Sequence, residues 1–188
     1  MSLRFRSLGS GSAGNATLVE SGDGLRRRNL LIDCGMPLRR LTARLQQAGV
    51  EPGGLAAVFI THEHADHAGC VQQLALRLRI PVWMSRGTHA AMGAPDFDGL
   101  LRQARDGDML DVAGMQLQPF TVPHDAREPL QLRCSDGDRA LGLATDLGHA
   151  SAHVVDSLQR CHALLLEANH DPDMLEASNY PDFLKRRV

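Results

Sequence analysis

No C-x-x-C pair occurs among the four cysteines, Cys34, Cys70, Cys134 and Cys161, so neither a zinc ribbon nor a thioredoxin-type redox motif is written here. Scattered thiols of this kind fit a reduced, cytosolic protein. Nowhere do about 18 apolar residues run together, and the opening MSLRFRSLGSG has no apolar segment of signal-peptide length. No membrane span is therefore expected, and the expected location is the cytoplasm. A strong charge of either sign is also missing. The formal net charge of −2 gives no global attraction to a polyanion, so any DNA contact must come from local basic patches. Linkers, repeats and low-complexity tracts are absent as well, which leaves a single domain over residues 1–188 as the expectation. Apolar residues at 43% and charged residues at 22% exclude a wholly disordered chain.

What is present is a rhythm of short strands and helices. LRFRSL, NATLVE and RNLLID read as strands separated by the glycine-rich GSGSAG and SGDG. In PLRRLTARLQQAGV, Leu38, Leu41, Leu45 and Ala48 recur at helical spacing, with Pro37 suited to the first turn and Gly49 to the end. LAAVFI is continuously apolar, the pattern of a strand buried on both faces. A helix is expected from His67 to Leu78, followed by the strand IPVWMS. Beyond Met109 come the strands GMQLQPFTV, PLQLRCS and RALGLAT, a helix SAHVVDSLQR, the strand HALLLEA and a helical tail. Strand-rich stretches at both ends with strand–helix units within each half favour an α/β (α+β) sandwich of sheets flanked by helices over a doubly wound parallel sheet.

Between the buried strand and the next helix lies THEHADHAGC, with His62, His64, Asp66 and His67 within six positions. Imidazole nitrogen and carboxylate oxygen are the donors that a first-row divalent ion accepts, and zinc, manganese and iron all suit them. His62 and His64, two apart on an extended segment, project to one side and can share an ion. Asp66 and His67 follow the turn and can face a second ion. Two ions about 3.5–4 Å apart can clamp a hydroxide between them. The bland account, surface histidines opening a helix with Asp66 placed by the helix dipole, suits one histidine better than four metal-capable residues.

The H-x-H-x-D-H order resembles that of the metallo-β-lactamase-fold hydrolases. The resemblance implies a four-layer αββα sandwich with a two-metal site at one edge of its sheets. Asp33 in LLIDCG resembles the early strand-end aspartate that supports the metal loop, His124 in FTVPHDA the third histidine of the first site, and Asp146 in LGLATDLG the aspartate that bridges the ions. So His62, His64 and His124 are expected to hold one ion, and Asp66, His67 and Asp146 the other, with Asp66 also orienting the attacking hydroxide. SLGSGSAGNATLVE, THEHADHAG, LLLEANHD and YPDFLKRRV narrow the resemblance to the YycJ/WalJ-type subgroup. That subgroup implies a metal-dependent phosphodiesterase or 5′-to-3′ exonuclease with DNA as substrate. Members of the subgroup usually continue past the LKRRV-like helix to a further histidine of the second site, whereas this sequence stops at Val188. His170 in EANHD is the candidate substitute, beside its reading as a strand-end structural residue.

Some signals are not promoted. Gly9, Gly11 and Gly14 stand in G-x-G-x-x-G order, but a strand follows where a dinucleotide site needs a helix, so a tight hairpin is expected and no such cofactor. Arg26 to Arg28 and Arg186 with Arg187 are read as solvated charge. His149 follows Asp146 closely enough to approach substrate, though an inert role is favoured, and His153 and His162 are placed near the last strand–helix unit. Two rival functions remain: a hydrolase of small thioesters, lactones or cyclic phosphodiesters, and a catalytically impaired binding module.

Overall fold

The computed structural model describes residues 2–22, 27–167 and 172–185, with the side chains of Pro172, Phe183 and Leu184 left out. Eleven strands and seven α-helices follow one another along them. The first sheet takes β1 (Ser2–Gly9), β2 (Ala16–Gly22), β3 (Arg27–Ile32), β4 (Leu55–Phe59), β5 (Val82–Met84) and β6 (Leu101–Gln103), in that spatial order. Its first three strands are antiparallel and the remaining pairs parallel. The second sheet runs β11 (Ala163–Leu166), β10 (Ala140–Ala144), β9 (Leu130–Ser135), β8 (Met115–Thr121) and β7 (Leu110–Val112), antiparallel except for β10 with β11.

Alternation along these strands explains the layers. Val19, Leu30, Ile32, Ala57 and Phe59 of the first sheet meet Met115, Leu117, Leu132, Leu141 and Leu143 of the second in one buried cluster, the contact between the sheets. Leu18, Leu31 and Val58 point the other way and pack under α1 (Leu38–Gln47) and α3 (Val71–Leu78). On the far side, Phe120 and Val122 meet Val154 of α5 (Ala152–Leu158). The order is helix, sheet, sheet, helix, the αββα sandwich implied by the sequence motif.

Local chemistry explains the element ends. Leu41 and Leu45 are the buried face of α1, and Pro37 sits as its N-cap rather than inside its first turn. Gly49, at φ +79°, turns the chain away after it. The expected helix over His67–Leu78 is broken into α2 (Ala65–Ala68) and α3, with Gly69 and Cys70 between them. The reason is a backbone contact: the carbonyl of His67, which a continuous helix would bond to Val71, instead accepts the N–H of Cys34 at 2.7 Å. Two further helices lie near the end, α6 (Pro172–Ala177) and α7 (Asp182–Lys185). The connection after β5 holds a short helix, α4 (Arg86–Ala91), and with β6 and β7 these were not anticipated from the sequence. Among the described residues, no helix is long and apolar enough to cross a membrane, and all four cysteines are free thiols.

Candidate metal centre

The extended segment after β4 delivers His62 and His64, and α2 then turns Asp66 and His67 back toward them. Three backbone bonds fix that turn: Asn15 N–H to the Asp66 carbonyl at 2.7 Å, Gly35 N–H to the Asn15 carbonyl at 3.0 Å, and Cys70 N–H to the Cys34 carbonyl at 3.1 Å. The packing has no room for a side chain at Gly35, where a Cβ would overlap the Asp66 carbonyl. The second sheet joins through the Leu130 N–H, which donates to the Thr61 carbonyl at 2.9 Å. The His124 loop is held by the Arg127 N–H, which donates to Glu63 at 2.7 Å.

In the resulting cluster, His62 Nε2 lies 3.0 Å from His64 Nδ1, and His124 Nε2 lies 3.3 Å from the same atom. A tetrahedral zinc bound at about 2.0–2.1 Å needs nitrogens about 3.3–3.4 Å apart, so the three atoms fit one ion with little adjustment. A second group, His62, His67 and Asp146, adjoins the first through His62, and in each group the donor atoms lie within 4.8 Å of one another. His67 Nε2 is 3.2 Å from Asp146 Oδ2 and 3.7 Å from Asp66 Oδ2. Asp66 thus borders this second group rather than completing it, and Asp146 stands against His67.

The surroundings set which nitrogen of each ring carries a proton. Asp33, buried and held at φ +60° where aspartate is better tolerated than most residues, accepts from the Thr61 N–H at 2.9 Å and from His67 Nδ1 at 2.8 Å. Thr61 Oγ1 also bonds Asp33 and lies 3.0 Å from His62 Nδ1. With the Thr61 hydroxyl donating to Asp33, His62 Nδ1–H donates to Thr61; both His62 and His67 turn Nε2 inward, and that of His62 keeps its lone pair available. Burial and then the imidazoles of His67, His124 and His64 push His62 down to about 2, so it stays neutral. His124 is lowered by burial, with His64 and His67 acting in the same direction against Asp125.

His67 goes the other way. Burial pulls it down, but Asp33, Asp146 and Asp66 outweigh that and raise it to about 9. Asp146 is pushed up to about 6 by burial, with Asp33 and Glu167 adding to it and His67 opposing. Three carboxylates facing one imidazole make a place that attracts positive charge. A divalent ion held there by His67 and Asp146 would supply that charge in place of the proton. The donors are neutral nitrogens and carboxylate oxygens, without a thiolate, so the chemistry of the set fits zinc, manganese or iron.

Of the other sequence candidates, His149 lies exposed in the loop after β10 and belongs to neither group. His170 lies outside the described residues. His153 pairs with Asp106 at 2.7 Å, and His162 Nδ1 accepts the Ala140 N–H at 3.1 Å, both away from the cluster. Sequence reasoning missed Asn15. Its amide donates to Asp66 Oδ2 at 3.1 Å and reaches His67 Nε2 at 2.9 Å, while its Oδ1 accepts the Gly11 N–H at 2.8 Å. The signal available was an asparagine directly after the glycine-rich GSGSAG, read only as the start of the strand NATLVE. Beside Asp33, Asp66 and Asp146 opens a cleft of about 280 Å³, bordered by Ser7, Gly9, Ser10, Asn15 and Glu167.

The model of the Metallo-beta-lactamase superfamily matches residues 9–166, which include His62, His64, Asp66, His67, His124 and Asp146. The chain belongs to that superfamily. It is a hydrolase of the metallo-β-lactamase fold, and its whole length is similar to proteins carrying one activity name. The Exodeoxyribonuclease YycJ of Bacillus anthracis is 31% identical over 193 aligned positions, covering 100% of this chain and 71% of that protein. The Exodeoxyribonuclease WalJ of Streptococcus pneumoniae serotype 2 is 29% identical, covering 98% and 69%. Among solved structures, the metallo-beta-lactamase fold protein YhfI from Bacillus subtilis superposes with a TM-score of 0.69 over 87% of this chain and 70% of that one, at 16% identity, which is a likeness of fold.

Proposed function

We propose that this superfamily member is a metal-dependent phosphodiesterase that degrades DNA from its 5′ end. The observation that carries the reading is the pair of donor groups sharing His62, in a chain similar end to end to exodeoxyribonucleases. His62, His64 and His124 would hold one divalent ion, and His67, Asp146 and Asp66 a second that His62 also adjoins. Zinc or manganese is the expected pair, with iron also compatible. Such ions, when bound, supply Lewis acidity toward the phosphoryl oxygens and make water acidic enough to attack near neutral pH.

The chain's own residues do the rest. Asn15 holds the Asp66 carboxylate beside His67, so that Asp66 Oδ2 can orient the attacking water and accept its hydrogen bond. Asp33 and Thr61 keep the rings of His67 and His62 in the orientation that presents Nε2 inward. The cleft beside Asp66 and Asp146 gives the scissile phosphodiester a place against the donor groups. A small-ester substrate is the less favoured reading, because the full-length similarity is to exodeoxyribonucleases.

The test is incubation of 5′-labelled single- and double-stranded DNA with purified protein and zinc, manganese or iron in turn, with a chelator control. Metal-dependent release of labelled mononucleotide is expected, and it should vanish in Asp66→Asn and His64→Ala. Metal-dependent turnover retained in both variants would refute the assignment.

A further inference from the structure

A polyanion approaching the donor groups meets carboxylates, since Asp66, Asp146 and Glu167 all border the adjoining cleft. With a net charge of −2, the cations that hold it have to be gathered locally. The parallel part of the first sheet does this. β3, β4, β5 and β6 run the same way, so their carboxyl ends share one rim. Asp33 follows β3 there, Thr61 and His62 follow β4, Arg86 follows β5 and Arg105 follows β6. Two strand spacings of about 4.8 Å put Arg105 about 10 Å along that rim from the strand that delivers His62, with Arg86 between them.

The second sheet brings a third arginine to the same place. Arg127 comes shortly after His124, and its N–H donates at 2.7 Å to Glu63, the residue between His62 and His64. Glu128 ties this loop to α4, its Oε2 accepting the Gly87 N–H at 2.6 Å. The Arg127 stem crosses Gly87, where an added Cβ would sit 3.3 Å from its Cγ. Arg86, Arg105 and Arg127 thus line one cavity of about 300 Å³, and all three are exposed. Among the described residues, none of the three pairs with a carboxylate. The acids nearby are engaged elsewhere. Glu128 holds Gly87, Asp106 accepts the Thr121 N–H and pairs with His153, each at 2.7 Å, and Asp108 accepts the Arg105 backbone N–H at 2.8 Å. Asp125 stands 3.5 Å from His124.

We propose that this cavity holds a backbone phosphate of the substrate strand, next to the stretch that lies on the donor groups, so that Arg86, Arg105 and Arg127 draw the nucleic acid across the rim past His124. The proposal deepens the nuclease reading and rests on it. Guanidinium forks match the phosphate oxygens two at a time, and cations contributed by three separate segments converge on such a group from several sides. Their exposure leaves room for the strand to continue in both directions. Free inorganic phosphate shares this chemistry, and the test separates the two.

Binding measures this directly. A fluorescein-labelled oligothymidine of about ten nucleotides, linked by phosphorothioates to resist cleavage, is titrated into the full chain as purified and followed by anisotropy across a salt series. The triple variant Arg86→Gln, Arg105→Gln, Arg127→Gln should lower the salt slope by about 0.7, the value for one phosphate contact on a single strand. It should also weaken binding by at least about tenfold, as expected when hydrogen bonds to a charged group are lost. Lysine at the same three positions should keep the slope. Arg44 lies in the last turn of α1, which carries the chain away from this rim toward the start of β4, so Arg44→Gln should leave the slope unchanged. Because the three side chains are exposed, the variants are expected to fold, and an unchanged thermal midpoint verifies it. An unchanged slope in the glutamine variant, or an equal loss in Arg44→Gln, overturns the proposal. So does millimolar inorganic phosphate, at constant ionic strength, displacing the oligonucleotide from the parent but not from the glutamine variant, which assigns the cavity to the free ion. DNA cleavage by the parent with an unchanged slope in the glutamine variant removes the cavity alone, and a lowered slope without cleavage under any metal removes the nuclease reading alone.

Discussion

Replacing Asp33 separates the job of holding the imidazoles from the job of binding an ion, because Asp33 supports His67 from behind through its Nδ1. In Asp33→Asn the backbone conformation at φ +60° is tolerated, since asparagine also visits the left-handed region. The amide oxygen can stay toward the Thr61 N–H, which bonds Oδ1 in the parent. The amide NH2 then takes the place of Oδ2, 2.8 Å from His67 Nδ1, and two donors face each other. His67 relieves this by moving its proton to Nε2, which is the atom turned toward Asp146. Loss of a supporting group of this kind typically lowers metal affinity by about 10- to 100-fold. Asp33→Ala goes further and leaves the Thr61 and His67 donors without their acceptor at a site exposed by 5% or less, for about 3–5 kcal/mol. For a chain of this size that is a fall of roughly 6–20 °C in thermal midpoint. The assay is competition for zinc against a chromophoric chelator, with metal content after dialysis. We expect Asp33→Asn to keep the ion of the His62, His64 and His124 group and to lose the other. Two ions retained at parental affinity would show that Asp33 does not position His67 for metal.

Other consequences follow from the same geometry. His62 belongs to both donor groups, so His62→Ala should empty both and abolish hydrolysis, while His124→Ala should spare part of the metal content; elemental analysis of the two proteins decides it. Asn15→Ala removes the amide from Asp66 and should lower kcat while the fold is kept, read by steady-state kinetics beside circular dichroism. A turnover number equal to the parent would dismiss Asn15 as a positioning residue. Gly35→Ala forces a Cβ into the Asp66 carbonyl and should destabilise by at least about 4 kcal/mol, seen as insolubility or a large drop in melting temperature. Ser85→Ala removes the side chain that accepts the Thr88 N–H at the start of α4 and should cost only about 1 kcal/mol.

Legibility from sequence followed the distance over which a signal acts. The H-x-H-x-D-H run could be read because its donors are close in sequence and unusual in type. His124 and Asp146 could be placed only by their order after that run, yet the structure sets both against its residues. Asn15 and Thr61 were not legible as partners. Their groups are common in turns and strands, and their bonds to Asp66 and Asp33 span 51 and 28 positions. The break between α2 and α3 was hidden for a similar reason. Val71, Leu74, Ala75 and Leu78 keep helical spacing, and what interrupts the helix is the Cys34 N–H, brought in from the loop after β3. Short elements such as β6 and β7, three residues each, are too brief to show a period.

The bond from Leu130 to Thr61 and the approach of His124 to His64 join stretches of chain roughly 60–70 positions apart. During folding, then, neither half can assemble the His62, His64 and His124 group alone, and an early compact form offers an ion only the loose local run around His62. Tight capture of metal should trail protection of the strand amides, making it a clock for the last docking event rather than a seed for the first.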